Sequence, residues 1–324
     1  MHPGKSDVTV IGAGVSGLTT AVCLAEAGAS VAIHAAEPPA RTTSVAAGAV
    51  WGPHLVGADT RVPAWAAVTL DQFRELSGAQ PSVHMASGTA AARAADAEPP
   101  EFAADTASLT PVAAGHLPAG YKSAWHLAAP LVSMPDYLAY LLERYLHAGG
   151  RPVEAVTYPA LGAATAAAGS PVIVNCTGCG ANDLVPDPHV VPVRGQVVVV
   201  ANPGIAEFFV GTGQGVGDLT YFFPHADRVV LGGTEQPGDW NRAPDEATAR
   251  QIVTACAAVE PALRGAREIE HRVGLRPVRP QVRLEAEQVN GVTVVHNYGH
   301  GGAGVTLSWG CAQDAAALAL AALG

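Results

Sequence analysis

The order of apolar and polar positions predicts that the chain opens with a strand, a helix and a second strand. Val8–Ile11 is an uninterrupted apolar run, which is typical of a parallel strand buried on both faces. Gly28 provides a stop signal for the helix that follows, and residues 31–34 form the next apolar run. Four side chains in between recur on one helical face: Val15, Leu18, Val22 and Ala25. The opening of the chain is therefore a βαβ unit.

The same patterning predicts further elements downstream. Helices are expected at 133–150 and 245–263, and a helix from Val305 to the C-terminus. Residues 86–120 are rich in Ala, Pro and Gly, which favours an irregular surface excursion with an edge strand or two. Strands are expected at 172–174, 193–200, 228–233 and 292–298.

These elements predict an α/β protein with a Rossmann-like nucleotide-binding domain and a second domain built on a mixed, mostly antiparallel sheet. The βαβ rhythm is absent from the strands at 193–200 and 228–233, which is why a second sheet is expected. The predicted nucleotide-binding domain comprises residues 1–55, 133–188 and 286–324. The predicted substrate-binding domain comprises residues 56–132 and 189–285.

The amino-acid composition excludes several classes of binding partner. Of the 324 residues, 49% are apolar and 14% are charged, and the formal net charge is −10, so a cationic footprint for nucleic acid or anionic lipid is missing. No apolar run is long enough for a spanning helix, and the N-terminus enters a strand almost at once without a signal peptide. We therefore expect a cytoplasmic protein without nucleic-acid or membrane partners. The sequence leaves open whether the protein forms a homodimer.

The five cysteines predict reduced core thiols: Cys23, Cys176, Cys179, Cys256 and Cys311. Cys176 and Cys179 form a C-x-x-C pair, for which a redox role is the alternative. A zinc site needs about four ligands and no second pair exists, so no metal is expected.

A glycine fingerprint follows the first strand. Gly12, Gly14 and Gly17 have the G-x-G-x-x-G spacing, which allows a tight turn, a close approach of backbone to a pyrophosphate and close packing of helix on strand. Val15 opens the helix whose N-terminus faces the phosphates. Glu37, twenty residues beyond Gly17, is a candidate ribose ligand, with a solvated loop residue as the equal alternative.

Two later stretches carry candidate chemistry. Residues 41–54 place hydroxyl groups beside small residues, which suits a flat cofactor, although an ordinary turn explains the stretch as well. In "GLRPVRPQVRLE", alternation separates Arg276 from Arg279 and Arg283. Arg276 is the candidate carboxylate clamp, and surface salt bridges are expected for the other two.

The stretch "HNYGHGGAGVTLSWGCA" lies between the last strand and the last helix. Its glycines let backbone come very near a ligand, and a helix beginning there has free N–H groups that would stabilise negative charge on a reduced flavin. His296 and His300 are interpreted as structural and not as an acid or base.

Together these motifs resemble the D-amino-acid oxidase family of FAD flavoproteins over nearly the whole chain. "VIGAGVSGL" is shared by many flavoproteins, "TTSVAAGAVW", "VNCTG" and "RGQ" narrow the choice, and "RPVRPQVRLE" with "HNYGHGGAGVTLSWGCA" is specific. The resemblance implies that Arg276 and Tyr221 bind the substrate carboxylate and that the Gly302 carbonyl accepts from the amine. The expected FAD contacts are Gly12, Gly14, Val15, Gly17, Glu37, Thr42, Thr43, Ser44, Gly48, Val156, Thr177, Gly301, Gly302, Gly304, Val305 and Thr306.

The resemblance also implies hydride transfer from the Cα of a D-amino acid to FAD, reoxidation by O2, and release of a 2-oxo acid, ammonia and hydrogen peroxide. Residues 203–220 contain no Lys or Arg, so neutral side chains are expected, although a charged His54 would favour an acidic one. Many relatives have a second tyrosine before Tyr221, which this chain lacks. The alternatives are a D-aspartate oxidase, a glycine or sarcosine oxidase, an NAD-dependent reductase and a non-enzymatic FAD-binding subunit.

Overall fold

A computed structural model describes residues 6–100, 109–212 and 219–324 of the chain. Its helices are α1 (Val15–Glu26), α2 (Val62–Ser77), α3 (Met134–His147), α4 (Leu161–Ala167), α5 (Ala181–Leu184), α6 (Glu246–Val259) and α7 (Ser308–Ala321). Its first strands are β1 (Val8–Ile11), β2 (Val31–Ala35), β3 (Val83–Ala92), β4 (Thr110–Pro111), β5 (Ser123–Val132), β6 (Glu154–Ala155) and β7 (Val172–Asn175). The remaining strands are β8 (Val191–Ala201), β9 (Phe208–Thr212), β10 (Thr220–Pro224), β11 (Arg228–Gly232), β12 (Gln236–Pro237), β13 (Glu268–Val289) and β14 (Val292–His300).

The sheet confirms the predicted α/β class. At one end β14, β7, β1, β2 and β6 lie side by side and all pair in parallel. At the other end β5, β3, β9, β10, β11 and β8 follow in that order, and only β3 and β9 pair in parallel. The first end is Rossmann-like and the second is mixed and mostly antiparallel, as expected.

Strand β13 connects the two ends. Its first half pairs with β8 and its second half pairs with β14, both antiparallel, with an irregularity in the β14 pairing between Val278 and Arg283. The predicted boundary between residues 285 and 286 therefore falls inside one continuous strand. Because β13 runs through both parts of the sheet, the substrate-side motif that it carries is held rigidly against the nucleotide-side elements.

The parallel end is covered by helices α1, α3 and α7. Helix α1 packs against both α3 and α7, and its Leu18 and Val22 are fully buried. The side chains of Val8 and Val10 on β1 belong to the same core. A Cβ on Gly17 would collide with the carbonyl oxygen of Gly12, so glycine at this position lets α1 sit directly on the end of β1.

Two sequence predictions need correction. Within 86–120, β4 is an edge strand as expected, but β3 is not one, because it pairs with both β5 and β9. Gly88 explains this: a Cβ there would collide with Phe208, so the absence of a side chain permits close strand packing. Helix α7 begins at Ser308 and not at Val305, because residues 301–307 form short turns first.

No helix among the described residues is both long and apolar enough to cross a lipid bilayer. The segment before Tyr221 that lacks the second tyrosine of many relatives includes residues 213–218, which lie outside the described residues.

Candidate cofactor and substrate site

A cavity of about 1160 Å³ lies where the parallel strands end and the antiparallel strands begin. The carboxyl ends of β1, β2 and β7 contribute Ile11, Ala35 and Cys176 to its wall. Ligands bind at this edge in open α/β sheets, because the strand ends and the helix N-termini meet there. Strands of the antiparallel end close the opposite side with Val197, Val210, Tyr221 and Phe223 among others.

The glycine fingerprint forms one end of the cavity. Gly12 has a φ of 112°, and a Cβ on it would lie 2.5 Å from the Cys176 carbonyl oxygen, so only glycine fits the turn. Gly14 is the N-cap residue of α1 and lines the cavity. The backbone N–H of Val15 donates to Ser44 Oγ at 2.9 Å. Ser44 thus occupies one N–H group of the helix terminus that the sequence predicts to be free for phosphates.

The hydroxyl groups of residues 42–44 all line the cavity, and each also has a protein partner. Thr42 Oγ1 donates to the Pro39 carbonyl, whereas Thr43 Oγ1 accepts from the Leu275 N–H. A hydroxyl that accepts keeps its own proton. Thr43 and Ser44 can therefore donate to an anionic ligand while they hold the surrounding chain in place.

Gly48 brings backbone against two aromatic rings. A Cβ on Gly48 would collide with the Phe223 ring and would lie 3.2 Å from Tyr221 Cε2. The Tyr221 and Phe223 rings are stacked, with their centroids 4.7 Å apart. Both rings and Gly48 face the cavity, so glycine here keeps a flat space open beside the aromatic pair.

The turn after β14 presents backbone groups to the cavity. Gly301, Gly302, Gly304, Val305 and Thr306 all line it. Within the described residues, no intrachain acceptor receives the N–H groups of Val305 and Thr306, and no backbone donor reaches the Gly302 carbonyl. Thr306 Oγ1 donates to the Gly52 carbonyl at 3.0 Å, which fixes the turn against the loop after Gly48.

The free N–H groups therefore belong to this turn and not to helix α7. The first N–H groups of α7 have protein acceptors: that of Ser308 donates to the Val305 carbonyl, and those of Trp309 and Gly310 donate to Thr69 Oγ1 at 3.1 and 3.3 Å. Among the described residues, the N–H groups of Val305 and Thr306 are therefore the ones in this region that could donate to a negatively charged ligand edge.

Arg276 lies on β13 and faces the cavity, as alternation predicts. Its Nη1 atom donates to the Thr234 carbonyl at 2.9 Å. A Cβ on Gly195 would lie 2.5 Å from the same nitrogen, so the glycine of the R-G-Q motif makes room for the guanidinium. Bonds to a neutral carbonyl and to the neighbouring Tyr221 hydroxyl still leave several of the five donors of Arg276 for a ligand.

Tyr221 is buried beside Arg276. Burial raises the pKa of the Tyr221 hydroxyl, and the positive charge of Arg276 only partly offsets this effect. The hydroxyl is therefore protonated at neutral pH and is a hydrogen-bond donor. An arginine and a neutral tyrosine side by side form a receptor for a carboxylate.

The other two arginines of the motif form structural ion pairs, as predicted. Arg279 Nε donates to Asp187 Oδ2 at 3.0 Å, and Arg283 Nε donates to Glu285 Oε1 at 2.7 Å. Tyr298 Oη donates to Asp187 Oδ2 at 2.8 Å. Neither Arg279 nor Arg283 lines the cavity in the described part of the chain.

The remaining cofactor candidates lie at the far end of the cavity. Glu37, Val156 and Thr177 all line it. Thr177 Oγ1 donates to Asn175 Oδ1 at 2.7 Å, and the Val156 N–H donates to the Ala35 carbonyl at 3.1 Å. The sequence predicts that Glu37 is either a ribose ligand or a solvated loop residue. In the structure its carboxylate forms a bidentate ion pair with Arg242.

The two histidines of the last strand have structural partners, as predicted. His296 contacts Asn175 and Glu287, and His300 Nε2 lies 2.9 Å from Asn297 Oδ1. Burial lowers the pKa of His300 to about 4, so it is neutral under ordinary conditions. The prediction that these residues serve the structure agrees with their burial.

Sequence reasoning missed a pair at the substrate end. His54 Nε2 lies 2.7 Å from Glu235 Oε1, although the two residues are 181 positions apart. His54 lines the cavity close to Gly302, where an added Cβ would lie 2.8 Å from the imidazole ring. The hydrogen bond to His54 lowers the pKa of Glu235 despite burial, and Arg276 adds to the lowering. The sequence carries no local signal for this pair.

All five cysteines are free thiols in the structure; Cys176, Cys256 and Cys311 are buried, and Cys23 and Cys179 are partly buried. Burial raises the pKa of Cys176 and of Cys179 to about 12, which disfavours the thiolate that redox exchange needs. Both line the cavity, where they act as small apolar surface.

The site fits FAD. The cavity wall has a glycine turn and a hydroxyl cluster in one part, and in another part the N–H groups of Val305 and Thr306, which have no backbone acceptor among the described residues. The first set matches a pyrophosphate and the second matches an electron-rich ring edge. Any side chain at position 48 would fill the flat space beside Gly48. Because glycine leaves this space open, it can hold a planar ring system.

Comparison with known proteins agrees with this geometry. Residues 7–318 match the family described as FAD dependent oxidoreductase, DAO. The chain belongs to this DAO family. It is 46% identical over 320 residues to a D-amino-acid oxidase of Rubrobacter xylanophilus. This alignment covers 97% of the chain and 96% of that protein. It is 34% identical to a human D-aspartate oxidase, over 96% of the chain and 94% of that protein.

Solved structures show the same fold. A glycine oxidase from Geobacillus kaustophilus superposes with a TM-score of 0.78 at 20% identity, covering 98% of the chain and 95% of that protein. At this level of identity the likeness establishes the DAO fold and leaves the substrate to the residues of the site.

Proposed function

We propose that this DAO-family protein oxidises neutral D-amino acids with FAD as its cofactor. The products are a 2-oxo acid, ammonia and hydrogen peroxide, with O2 and water consumed. One observation carries the proposal. Arg276 and a protonated Tyr221 lie side by side in the same cavity as the Gly302 carbonyl, which no backbone donor among the described residues reaches. This set binds the two groups that every amino acid has.

The proposed roles follow from the chemistry of each group. Arg276 and Tyr221 bind the substrate carboxylate by charge-assisted and neutral hydrogen bonds. The Gly302 carbonyl accepts a hydrogen bond from the amine and thereby fixes the Cα–H direction. When bound, FAD supplies the acceptor for the hydride from Cα and passes the electron pair to O2.

Catalysis on this proposal rests on positioning. His300 is neutral and bonded to Asn297, and His54 is bonded to Glu235. Arg276 is itself a permanent cation. The chain's contribution is then a fixed orientation of the substrate and a set of N–H donors at Val305 and Thr306.

The preference for neutral side chains is inferred from the substrate-side wall. Its apolar members are Val50, Ala90, Trp125, Val197, Val210, Leu219 and Phe223. The Glu235 carboxylate lies within electrostatic reach of Arg276, where it disfavours a second negative charge on the substrate. This argues against D-aspartate as the preferred substrate, although His54 would by itself favour an acidic side chain.

A coupled peroxidase assay tests the proposal. Hydrogen peroxide formation from D-alanine and D-methionine, with no formation from the L-enantiomers, is the expected result. Equal amounts of 2-oxo acid and peroxide should form. Activity with glycine or sarcosine alone would contradict the D-amino-acid assignment.

A further inference from the structure

A segment of the antiparallel half reaches across to the nucleotide end of the cavity. Residues 239–245, here called the strap, connect the region after β12 to helix α6. Trp240 and Arg242 of the strap line the cavity beside Ala36 and Glu37, which follow β2. The strap is thus one part of the antiparallel half that meets the Rossmann-like half, and it does so at the end of β2.

The tip of the strap holds Glu37 with two parallel hydrogen bonds. Arg242 Nη1 donates to Glu37 Oε1 at 2.6 Å and Nη2 donates to Oε2 at 3.1 Å. Arg242 Nη2 also donates to the Arg41 carbonyl at 3.0 Å. The Arg242 contacts therefore fix both the Glu37 carboxylate and the loop that leads into the hydroxyl cluster.

A buried arginine anchors the base of the strap. Arg194 is 2% exposed, and it donates to the carbonyls of Asn241 at 2.8 Å and Ala243 at 2.7 Å. Gln196 completes the anchor, since its side chain bonds to both the N–H and the carbonyl of Asp245. Because these strap residues are held by buried side chains, Arg242 starts from a fixed backbone.

The bidentate pair leaves Glu37 able to bind a ligand. Each carboxylate oxygen has two lone pairs, and Arg242 uses one on each oxygen. The free lone pairs suit the hydroxyl groups of a ribose. A carboxylate held in one rotamer loses less side-chain entropy when such a ligand binds.

We propose that the strap is part of the cofactor site and that Arg242 is a positioning residue that holds Glu37 as the acceptor for the ribose of FAD. The proposal rests on FAD being the cofactor and not on which amino acid is oxidised. An exposed ion pair by itself contributes little. The anchored strap and the position of both residues in the cavity wall distinguish this pair from an ordinary surface pair.

Release of FAD from the purified holoprotein tests the proposal. After dilution, the flavin fluorescence should rise about tenfold faster in Arg242→Gln and in Glu37→Gln than in the wild type. Arg242→Lys keeps the positive charge but loses the two parallel hydrogen bonds. Its FAD release rate should therefore lie between those of the wild type and Arg242→Gln. The control is Arg74→Gln, which removes a surface arginine paired with Asp71 on α2 and should leave the release rate unchanged.

The double variant separates positioning from two independent contacts. If Arg242 acts through Glu37, the Glu37→Gln/Arg242→Gln protein should release FAD little faster than either single variant. Two results would overturn the proposal. One is a double variant whose release rate rises by the product of the two single-variant increases. The other is an Arg242→Gln release rate within twofold of the wild-type rate. Unchanged apoprotein unfolding midpoints show that the variants are folded. A wild-type protein that binds no FAD overturns the strap and the proposed function together, whereas tight wild-type binding with unaltered Arg242→Gln release overturns only the strap.

Discussion

His54 and Glu235 meet at 2.7 Å and so link the loop after Gly48 to the segment between β11 and β12 at the substrate end of the cavity. The carboxylate is only 15% exposed and the imidazole is 42% exposed. The pair places a negative charge near Arg276, the residue proposed to bind the substrate carboxylate.

Glu235→Gln should shift the selectivity toward acidic substrates. Removing one negative charge near Arg276 should raise kcat/KM for D-aspartate relative to D-alanine by about tenfold, or ~1.4 kcal/mol. Steady-state assays with both substrates measure the ratio. Glu285→Gln is the matched control, because Glu285 pairs with Arg283 away from the cavity. An equal change for both substrates would mean that the pair serves only structure.

Arg276→Ala should raise the KM for D-alanine by about 10- to 100-fold, because it removes a charge-assisted bond that contributes roughly 1.5–3 kcal/mol. FAD should stay bound, since the clamp does not hold the cofactor on this account. Flavin absorbance of the purified variant and its steady-state kinetics give both results. Arg283→Lys, on the same strand, should keep the wild-type KM. Loss of flavin with normal substrate binding would refute the role of Arg276.

Gly48→Ala should destabilise the protein and weaken its hold on FAD. The new methyl group collides with the Phe223 ring, and such overpacking costs about 1–3 kcal/mol. Urea unfolding and the flavin content after gel filtration are the two measurements. Gly115→Ala is the control, because its Cβ would meet nothing within 4 Å. Equal stability of the two variants would contradict the crowding seen at Gly48.

Stability should depend on pH through His225. Burial, with Arg228 and His84 nearby, lowers the His225 pKa to about 4, whereas an unfolded histidine titrates near 6.5. Between these values the unfolded chain binds more protons. The free energy of unfolding should therefore fall as the pH drops from about 6.5 to 4, by at most ~1.4 kcal/mol per pH unit from this group.

Urea unfolding at several pH values checks this slope in the wild type and in His225→Asn. His300 contributes in the same direction, so the difference between the two proteins is the quantity to compare. The variant should lose stability less steeply, while exposed His116→Asn should keep the wild-type slope. Identical slopes for all three proteins would show that folding does not lower the pKa of His225.

The sequence was sufficient where a local pattern determines the structure. The run at Val8–Ile11 and the glycines after it predicted β1 and α1, because their burial and turn geometry depend on neighbouring residues. Arg276 could be separated from Arg279 and Arg283 by strand alternation alone. The resemblance in the last strand and turn then supplied the family.

The parts that sequence reasoning missed depend on distant partners. β3 has few large side chains, and its burial is determined by Phe208 and by pairing with β5, neither of which its own pattern reveals. Glu37 and Arg242 are 205 positions apart. The α7 start was misplaced because Thr69, on α2, satisfies its first N–H groups.

The most direct test of the central claim is an anaerobic spectral titration of the purified protein. The visible flavin band should be present and should bleach on addition of D-alanine or D-methionine, with no change on addition of the L-enantiomers. A flavin band that only glycine or sarcosine bleaches, or a colourless protein whose colour FAD does not restore, would contradict the account.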